Sequence, residues 1–386
     1  MKILMVLDHE FPPDVRVENE IEALTEAGHQ VHIACYTMKS KALTDQFGKA
    51  TIHRKKISKL IHKTSVGCLK FPFYFNFWRI FIFDLQKQYQ FDAVHIHDLP
   101  LAQLGFEMKS KFGMKFILDL HENWPALLEQ ADHTKGLLGK FLSNQKQWER
   151  YESQFASKAD NTIVVVDEAK ERLKNLGIET EKITIVSNTL NSNHFKVPDT
   201  QRDKTYFTLF YAGGINRHRG LQTIIPALKM LPSQVRLLLL GTGSYVADLK
   251  QLATDNSVPN MVEFHGWQPF DKMNQLMGKA DVCLIPHVKS AHTDNTIPHK
   301  LFQYMYAQKP IVASDCAPIQ RIVEAHQCGL IYPWQDSNAF AQQILQLIAD
   351  ENLKNKMGEN GYQAVNEQYL WEKDANRLLK IYAQNG

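Results

Sequence analysis

Two successive series of short, unbroken apolar runs, separated by stretches of helical periodicity, restrict this chain to few folds. The first series is KILMVLD (2–8), VHIACY (31–36), AVHIH (93–97), KFILDL (115–120) and NTIVVV (161–166), closing with TIVSN (184–188). The second is FTLFYAGG (207–214), VRLLLLG (235–241), MVEFHGW (261–267), DVCLIPH (281–287) and IVASD (311–315). Runs of aliphatic and β-branched residues without polar alternation are strands covered on both faces, as a parallel sheet requires. The helical stretches between them, such as Arg16–Ala27 closed by Gly28, supply the crossovers. The expectation is an α/β protein with two doubly wound parallel-sheet domains, which suits a chain of 386 residues. The polar segment from Thr189 to Tyr206 is the linker candidate. Residues 337–386 read as helical.

Composition narrows the function classes. With 44% hydrophobic and 22% charged residues, the chain is that of a soluble globular protein, and a net charge of +3 is too small for a nucleic-acid polycation. Five cysteines (Cys35, Cys68, Cys283, Cys316, Cys328) have no metal-ligand spacing and read as reduced, buried thiols of a cytoplasmic protein. The apolar run after Lys2 is too short for a signal peptide and reads as a first strand. No run approaches the roughly 20 residues that span a bilayer. The nearest, FPFYFNFWRIFIF (71–83), follows the basic segment HRKKISKLIHK (53–63). That pairing suggests peripheral contact with an anionic membrane surface; the alternative is a core helix after a solvated turn.

Polar residues gather at the ends of the expected strands, where open parallel sheets bind ligands. The segment DNTIPHKLFQYMYAQKPIVASD (294–315) reads as a polar loop, a helix of about three turns, a turn and a buried strand. A helix N-terminus there is suited to hold phosphate. Leu301, Met305 and Pro310–Val312 face the core, leaving His299, Lys300, Gln303 and Tyr304 to face a ligand. In YAGGINRHRG (211–220), Gly213 and Gly214 admit close backbone approach, and Arg217 and Arg219 supply charge-assisted bonds to a diphosphate. DLHENWP (119–125) sets His121 and Glu122 at a sheet mouth. Asp8, His9, His95, His97 and Asp98 lack the spacing of a metal motif, so no metal is expected. GxGxxG at the first helix, GxxxxGK[ST] and GxSxG are all missing, which argues against dehydrogenase, nucleoside-triphosphatase and serine-hydrolase readings.

FPPDVRVENEIEALTEAGHQVHIACY (11–36), DLHENWP, YAGGINRHRG and PHKLFQYMYAQKPIVASD together resemble, in order and over nearly the whole chain, a retaining nucleotide-sugar glycosyltransferase of family 4 (group 1) with the GT-B fold. The resemblance implies two Rossmann-like domains facing across a cleft. One is an acceptor domain over residues 1–190, with a C-terminal helix (366–386) packing back on it; the other is a donor domain over residues 205–365. It implies a UDP- or GDP-linked sugar as donor substrate, a saccharide or lipid-linked acceptor, and no cofactor or metal. Position by position, Arg219 matches the basic residue on the donor diphosphate, and His121 the histidine that approaches the donor sugar. Backbone N–H groups of Thr296 and Ile297 meet sugar or phosphate. Asp14, Arg16 and Glu122 lie on the acceptor side. The family's second basic residue falls on Gly214, with Arg217 as the nearby substitute. Its two glutamates fall on the amides Asn295 and Gln303. Asn295 can orient a sugar hydroxyl but cannot act as base or nucleophile. These departures leave open a nucleotide-sugar epimerase and a diverged, non-catalytic nucleotide-sugar binder as alternatives.

Overall fold

A computed structural model describes residues 1–39, 41–130, 142–198 and 205–383. The chain divides into two compact units, Met1–Ser187 with Asp374–Gly386, and Asn188–Lys373.

The first unit holds an eight-stranded sheet. Its strands are β1 (Lys2–Leu7), β2 (Gln30–Thr37), β3 (Thr44–Phe47), β4 (Ala50–Lys56), β5 (Ala93–His97), β6 (Lys115–Leu120), β7 (Asn161–Val164) and β8 (Ile183–Ile185). Their order is β3-β4-β2-β1-β5-β6-β7-β8. All neighbours run parallel except β3 and β4. Strand order reverses between β1 and β5, so the crevice at their carboxyl ends is the place for a ligand in such a sheet.

The antiparallel β3–β4 ribbon departs from the expected all-parallel sheet, and β4 lies where the sequence suggests a basic turn. Two polar residues of β4, His53 and Arg54, are buried because they are paired, His53 with His32 at 2.9 Å. Arg54 donates to the Phe11 carbonyl at 3.0 Å, to Ala42 O at 2.9 Å and to Asp45 at 2.9 Å. A paired guanidinium tolerates burial that a free one does not.

The aromatic segment forms the helix Phe73–Tyr89. Tyr74, Phe75, Trp78, Ile82 and Leu85 enter the core, each stabilising by roughly 1.5–3 kcal/mol. Phe71, Phe73 and Ile80 stay exposed. The segment is therefore a core helix on one face and an open apolar surface on the other. The end of the chain docks on the first unit through Tyr382, whose hydroxyl lies 2.9 Å from His95 Nδ1.

The second unit holds β9 (Phe207–Ala212), β10 (Val235–Leu240), β11 (Val262–Gly266), β12 (Val282–Ile285), β13 (Ile311–Ser314) and β14 (Gly329–Tyr332), in the order β11-β10-β9-β12-β13-β14. This is the doubly wound order with its reversal between β9 and β12. Leu209, Tyr211, Leu237, Leu239, Leu284 and Val312 lie in its core with helix residues Leu221, Ile224 and Ile225. Among the described residues, no helix is long and apolar enough to cross a membrane. All five cysteines are free and buried.

Candidate functional site

In the second unit the site grows from the loops at the carboxyl ends of β9 and β12. After β9 the chain turns at Gly213, whose φ of +145° falls where a side chain is strained, and whose place a Cβ could not share with Lys300 Nζ 2.6 Å away. A short 3-10 turn, Arg217–Arg219, follows and ends at Gly220, also in left-handed backbone (φ +76°). A Cβ at Gly220 would lie 1.5 Å from Pro286 O, so glycine is what lets the β9 and β12 loops touch. The contact is sealed by Val288 N donating to His218 O at 3.0 Å.

Two cations are held here. Arg219 is half-buried, its Nη1 3.2 Å from His287 Nε2, while its Nε is buried without a hydrogen-bond partner among the described residues. Lys300, in the first turn of the helix His299–Tyr306, has its Nζ 4.1 Å from the centre of the Tyr211 ring. Neither makes an ion pair with a carboxylate among the described residues. Burial, and then Arg219, push the Lys300 ammonium below its ordinary range. Burial followed by the same arginine pushes His287 down, and takes His218 and His292 down to about 4. The pocket thus has basic groups without a carboxylate partner among the described residues, neutral imidazoles and a helix N-terminus, which is the equipment of an anion site.

Gly214 and Arg217 are exposed, and Arg217 is turned to the rim of its loop. Lys300, from a different element, is the cation that stands against the glycine turn. Asn295 is half-buried and spends its amide on Ala291 O at 2.8 Å. Asp294 accepts from Ala317 N at 2.8 Å, at the start of the helix Ala317–Ala325. Thr296 and His299 are half-buried, while Ile297 is buried and its carbonyl accepts from Asn188 at 2.9 Å. Gln303 is half-buried on the same helix. Tyr304 does not face outward as the sequence suggests. It is buried, its hydroxyl accepts from Ala212 N at 3.2 Å, and it braces the end of β9. The helix is also shorter than expected, at 8 residues.

In the first unit, Asp8 and His9 follow β1, Asp98 follows β5, and His121 and Glu122 follow β6. Asp14 caps the helix Val15–Glu26, accepting from Val17 N at 3.2 Å with His9 Nε2 at 3.1 Å. Burial pushes its carboxyl up, but His9 and the Val17 N–H outweigh that and hold it well below the usual range. His121 Nε2 stands 3.3 Å from Asp98 Oδ2. Tyr74 donates to Asp8, and burial pushes the Asp8 carboxyl up to about 7.

Arg16 goes elsewhere. It is 4% exposed, paired through Nε and Nη2 with both oxygens of Asp119 at 3.0 Å, and donates through Nη1 to Val186 O at 3.0 Å. Glu20 Oε1 lies 3.2 Å from its Nε. His97 Nδ1 is 3.5 Å from Asp119, and the His95 and His97 rings stack at 4.3 Å. Ligating atoms of Glu20, His95, His97 and Asp119 all lie within 4.8 Å of one another. The Arg16 guanidinium already supplies the positive charge these carboxylates need. Burial leaves Glu20 raised well above its ordinary range and His95 and His97 lowered, so Arg16 and Asp119 balance in charge. This cluster underlies the β5 and β6 ends and sets the loops that carry Asp98 and His121.

Residues 192–364 match the Glycosyl transferases group 1 family, and residues 14–194 match Glycosyltransferase Family 4. A putative colanic acid biosynthesis glycosyltransferase of Escherichia coli is 27% identical over 205 residues, 51% of this chain and 50% of that one. A lipopolysaccharide core biosynthesis glycosyltransferase of Rhizobium meliloti is 27% identical over 216 residues, 55% of this chain and 61% of that one. The matches thus span between half and about three fifths of these two relatives' length. In fold, a sucrose-phosphate synthase of Thermosynechococcus elongatus superposes with a TM-score of 0.80 at 18% identity, covering 99% of this chain and 98% of that one. An Anabaena protein solved in complex with UDP superposes at 0.74 with 14% identity, covering 100% of both chains. These likenesses establish the architecture.

Proposed function

We propose that this chain, a GT-B glycosyltransferase by the two family domains it carries, transfers a sugar from a UDP- or GDP-linked donor to a saccharide or lipid-linked acceptor, with retention of anomeric configuration. The observation that carries the reading is the pair Arg219 and Lys300 at the β9 and β12 loops, two basic groups without carboxylate partners among the described residues. A nucleotide diphosphate supplies the missing negative charge. As the sugar–phosphate bond breaks, that charge grows on the leaving oxygen. Fixed donors aimed at it are commonly worth about 2.7–4 kcal/mol each. The N-terminus of the helix His299–Tyr306 adds its dipole to the same anion.

Among retaining routes, the residues nominated for the sugar favour front-face attack over double displacement. Asn295 and Gln303 are amides, and neither forms a glycosyl ester. A front-face route, with the acceptor hydroxyl entering on the side the phosphate leaves, needs no carboxylate nucleophile. His121 is assigned to the donor sugar, and Asp14 and Glu122 to the acceptor side. No metal or cofactor has a role in this scheme, because the two cations serve the diphosphate.

The names of the relatives support a place in surface polysaccharide or lipopolysaccharide synthesis. The exposed apolar and basic surface around Lys59, Leu60, Lys63, Phe73 and Ile80 supports work at the cytoplasmic face of a membrane. The test is turnover of a donor panel (UDP-, GDP-, ADP- and dTDP-sugars) with lipid-linked and free saccharide acceptors, and assignment of the product's anomeric configuration by proton NMR. Transfer from a UDP- or GDP-sugar with retention supports the reading; an inverted product removes the mechanism. Turnover of UDP-GlcNAc without any acceptor identifies an epimerase instead.

A further inference from the structure

Asp98 sits in a backbone conformation that side chains avoid. Its φ is +66° and its ψ is 157°, a region occupied essentially by glycine alone. The conformation is fixed from both sides. Asp98 N donates to Asp119 O at 2.8 Å, prolonging the β5–β6 pairing, and Leu99, Pro100 and Leu101 are buried immediately after it. Glycine would meet the same demand without strain. What the aspartate adds over glycine at this position is its carboxylate.

That carboxylate faces His121. Oδ2 lies 3.3 Å from His121 Nε2, while Oδ1 is buried with no hydrogen-bond partner among the described residues. We infer that Asp98 is a positioning residue that fixes the ring orientation and tautomer of His121. A carboxylate facing Nε2 places the ring proton on Nε2 and leaves the lone pair on Nδ1. The neutral imidazole is then presented with one defined donor edge and one defined acceptor edge. Asp14, Asp119, Glu122 and Arg16 also act on the His121 ring electrostatically. Burial pushes the Asp98 carboxyl up to about 7 and His121 down, so the tautomer is read above that pH, where the carboxylate is ionised and accepts from Nε2–H.

The value of this arrangement for sugar transfer rests on the function proposed above, in which His121 meets the donor sugar. The arrangement itself is tested without substrate. Histidine side-chain 15N and 13C shifts of the full chain, with the His121 signals assigned by their loss in His121→Gln, report the tautomer. In the wild type the Nε2–H form is expected. Asp98→Gly keeps the backbone conformation and removes the carboxylate. Its melting temperature is expected to equal or exceed that of the wild type, while the Nε2–H preference is lost. Asp98→Asn retains an acceptor oxygen and is expected to restore the preference. An unchanged His121 tautomer in Asp98→Gly overturns the inference, and so does a fall in melting temperature of several degrees. An Asp98→Asn protein that is folded but has lost the Nε2–H form overturns it as well. If the tautomer shifts as expected but no donor sugar is turned over by the wild type, the functional reading fails and the positioning role stands.

Discussion

Lys300 Nζ rests 4.1 Å from the centre of the Tyr211 ring and within reach of the Gly213 turn. The ring face gives the ammonium a favourable electrostatic partner without neutralising it. A second cation is thereby delivered to the β9 loop from the helix that follows β12, while Gly214 and Arg217 lie exposed at that loop.

Removing either cation is expected to separate binding from folding. Arg219→Ala should lower kcat at least tenfold, since a lost charge-stabilising donor costs a few kcal/mol in the transition state. Circular dichroism and the melting temperature should stay close to wild type, because among the described residues Arg219 has no carboxylate that its loss would strand. Near-normal turnover would count against the assignment.

Gly213→Ala addresses the same pocket from the backbone. The new Cβ would arrive 2.6 Å from Lys300 Nζ, and Lys300 is a flexible side chain that can swing away. The expected result is a folded protein with nucleotide affinity reduced about tenfold. Gly220→Ala is expected to behave differently, because its Cβ meets the Pro286 carbonyl at 1.5 Å. Backbone cannot swing aside, so a loss of several kcal/mol on denaturant unfolding is expected, as for other large core and backbone defects.

The Arg16–Asp119 pair predicts a stability effect with a definite sign. Asp119→Asn or Arg16→Met leaves one buried charge without its partner, which typically costs about 3–5 kcal/mol. Urea unfolding of each single variant measures this. A double variant that loses much less than the sum would show that the two residues act as a unit.

Asp8 predicts a pH dependence. Its carboxyl is raised to about 7 in the folded protein, first by burial, against about 3.9 in an unfolded chain. The folded state therefore holds a proton that the unfolded state releases between these values. Its contribution to stability is present below pH 4 and is lost as pH rises toward 7. Asp8→Asn keeps an acceptor for the Tyr74 hydroxyl and cannot ionise. Relative to wild type, its melting temperature should gain as pH is raised from 5 to 8. A constant difference across that range would contradict the assignment.

The exposed face of the first unit predicts membrane association. Residues 53–83 hold no acidic residue and seven lysines and arginines, of which Arg54 is buried against Asp45 and Arg79 is paired with Glu107. Leu60, Phe73 and Ile80 are 74%, 55% and 58% exposed. Vesicles containing anionic lipid should sediment the protein at low salt, and Lys59→Glu with Lys63→Glu, or Phe73→Ser with Ile80→Ser, should abolish this. Equal sedimentation with neutral vesicles would remove the electrostatic part of the account.

The sheet cores were legible because parallel strands are written as continuous apolar runs, and β1, β5, β6, β9, β10 and β13 lie on them. Strand β4 was hidden because Arg54 and His53 look solvated until Phe11 O, Ala42 O and Asp45 are placed around them. β14 is only four residues, GLIY, with no periodicity to separate it from a turn. In the site, Gly213, Arg219 and Lys300 stood out as residue types suited to phosphate. Arg16 did not declare itself structural, because its partner Asp119 is over a hundred residues away. Nor does a sequence announce a positive φ at an aspartate, so Asp98 could be placed at a strand end but not recognised as strained.

Calorimetric titration of UDP and GDP into the wild type, Arg219→Ala and Lys300→Met tests the central claim most directly. The account predicts that at least one nucleotide binds the wild type, and that each substitution weakens it tenfold or more while the proteins remain folded. Binding that is unaffected by both substitutions, or the failure of the wild type to bind either nucleotide, would contradict it.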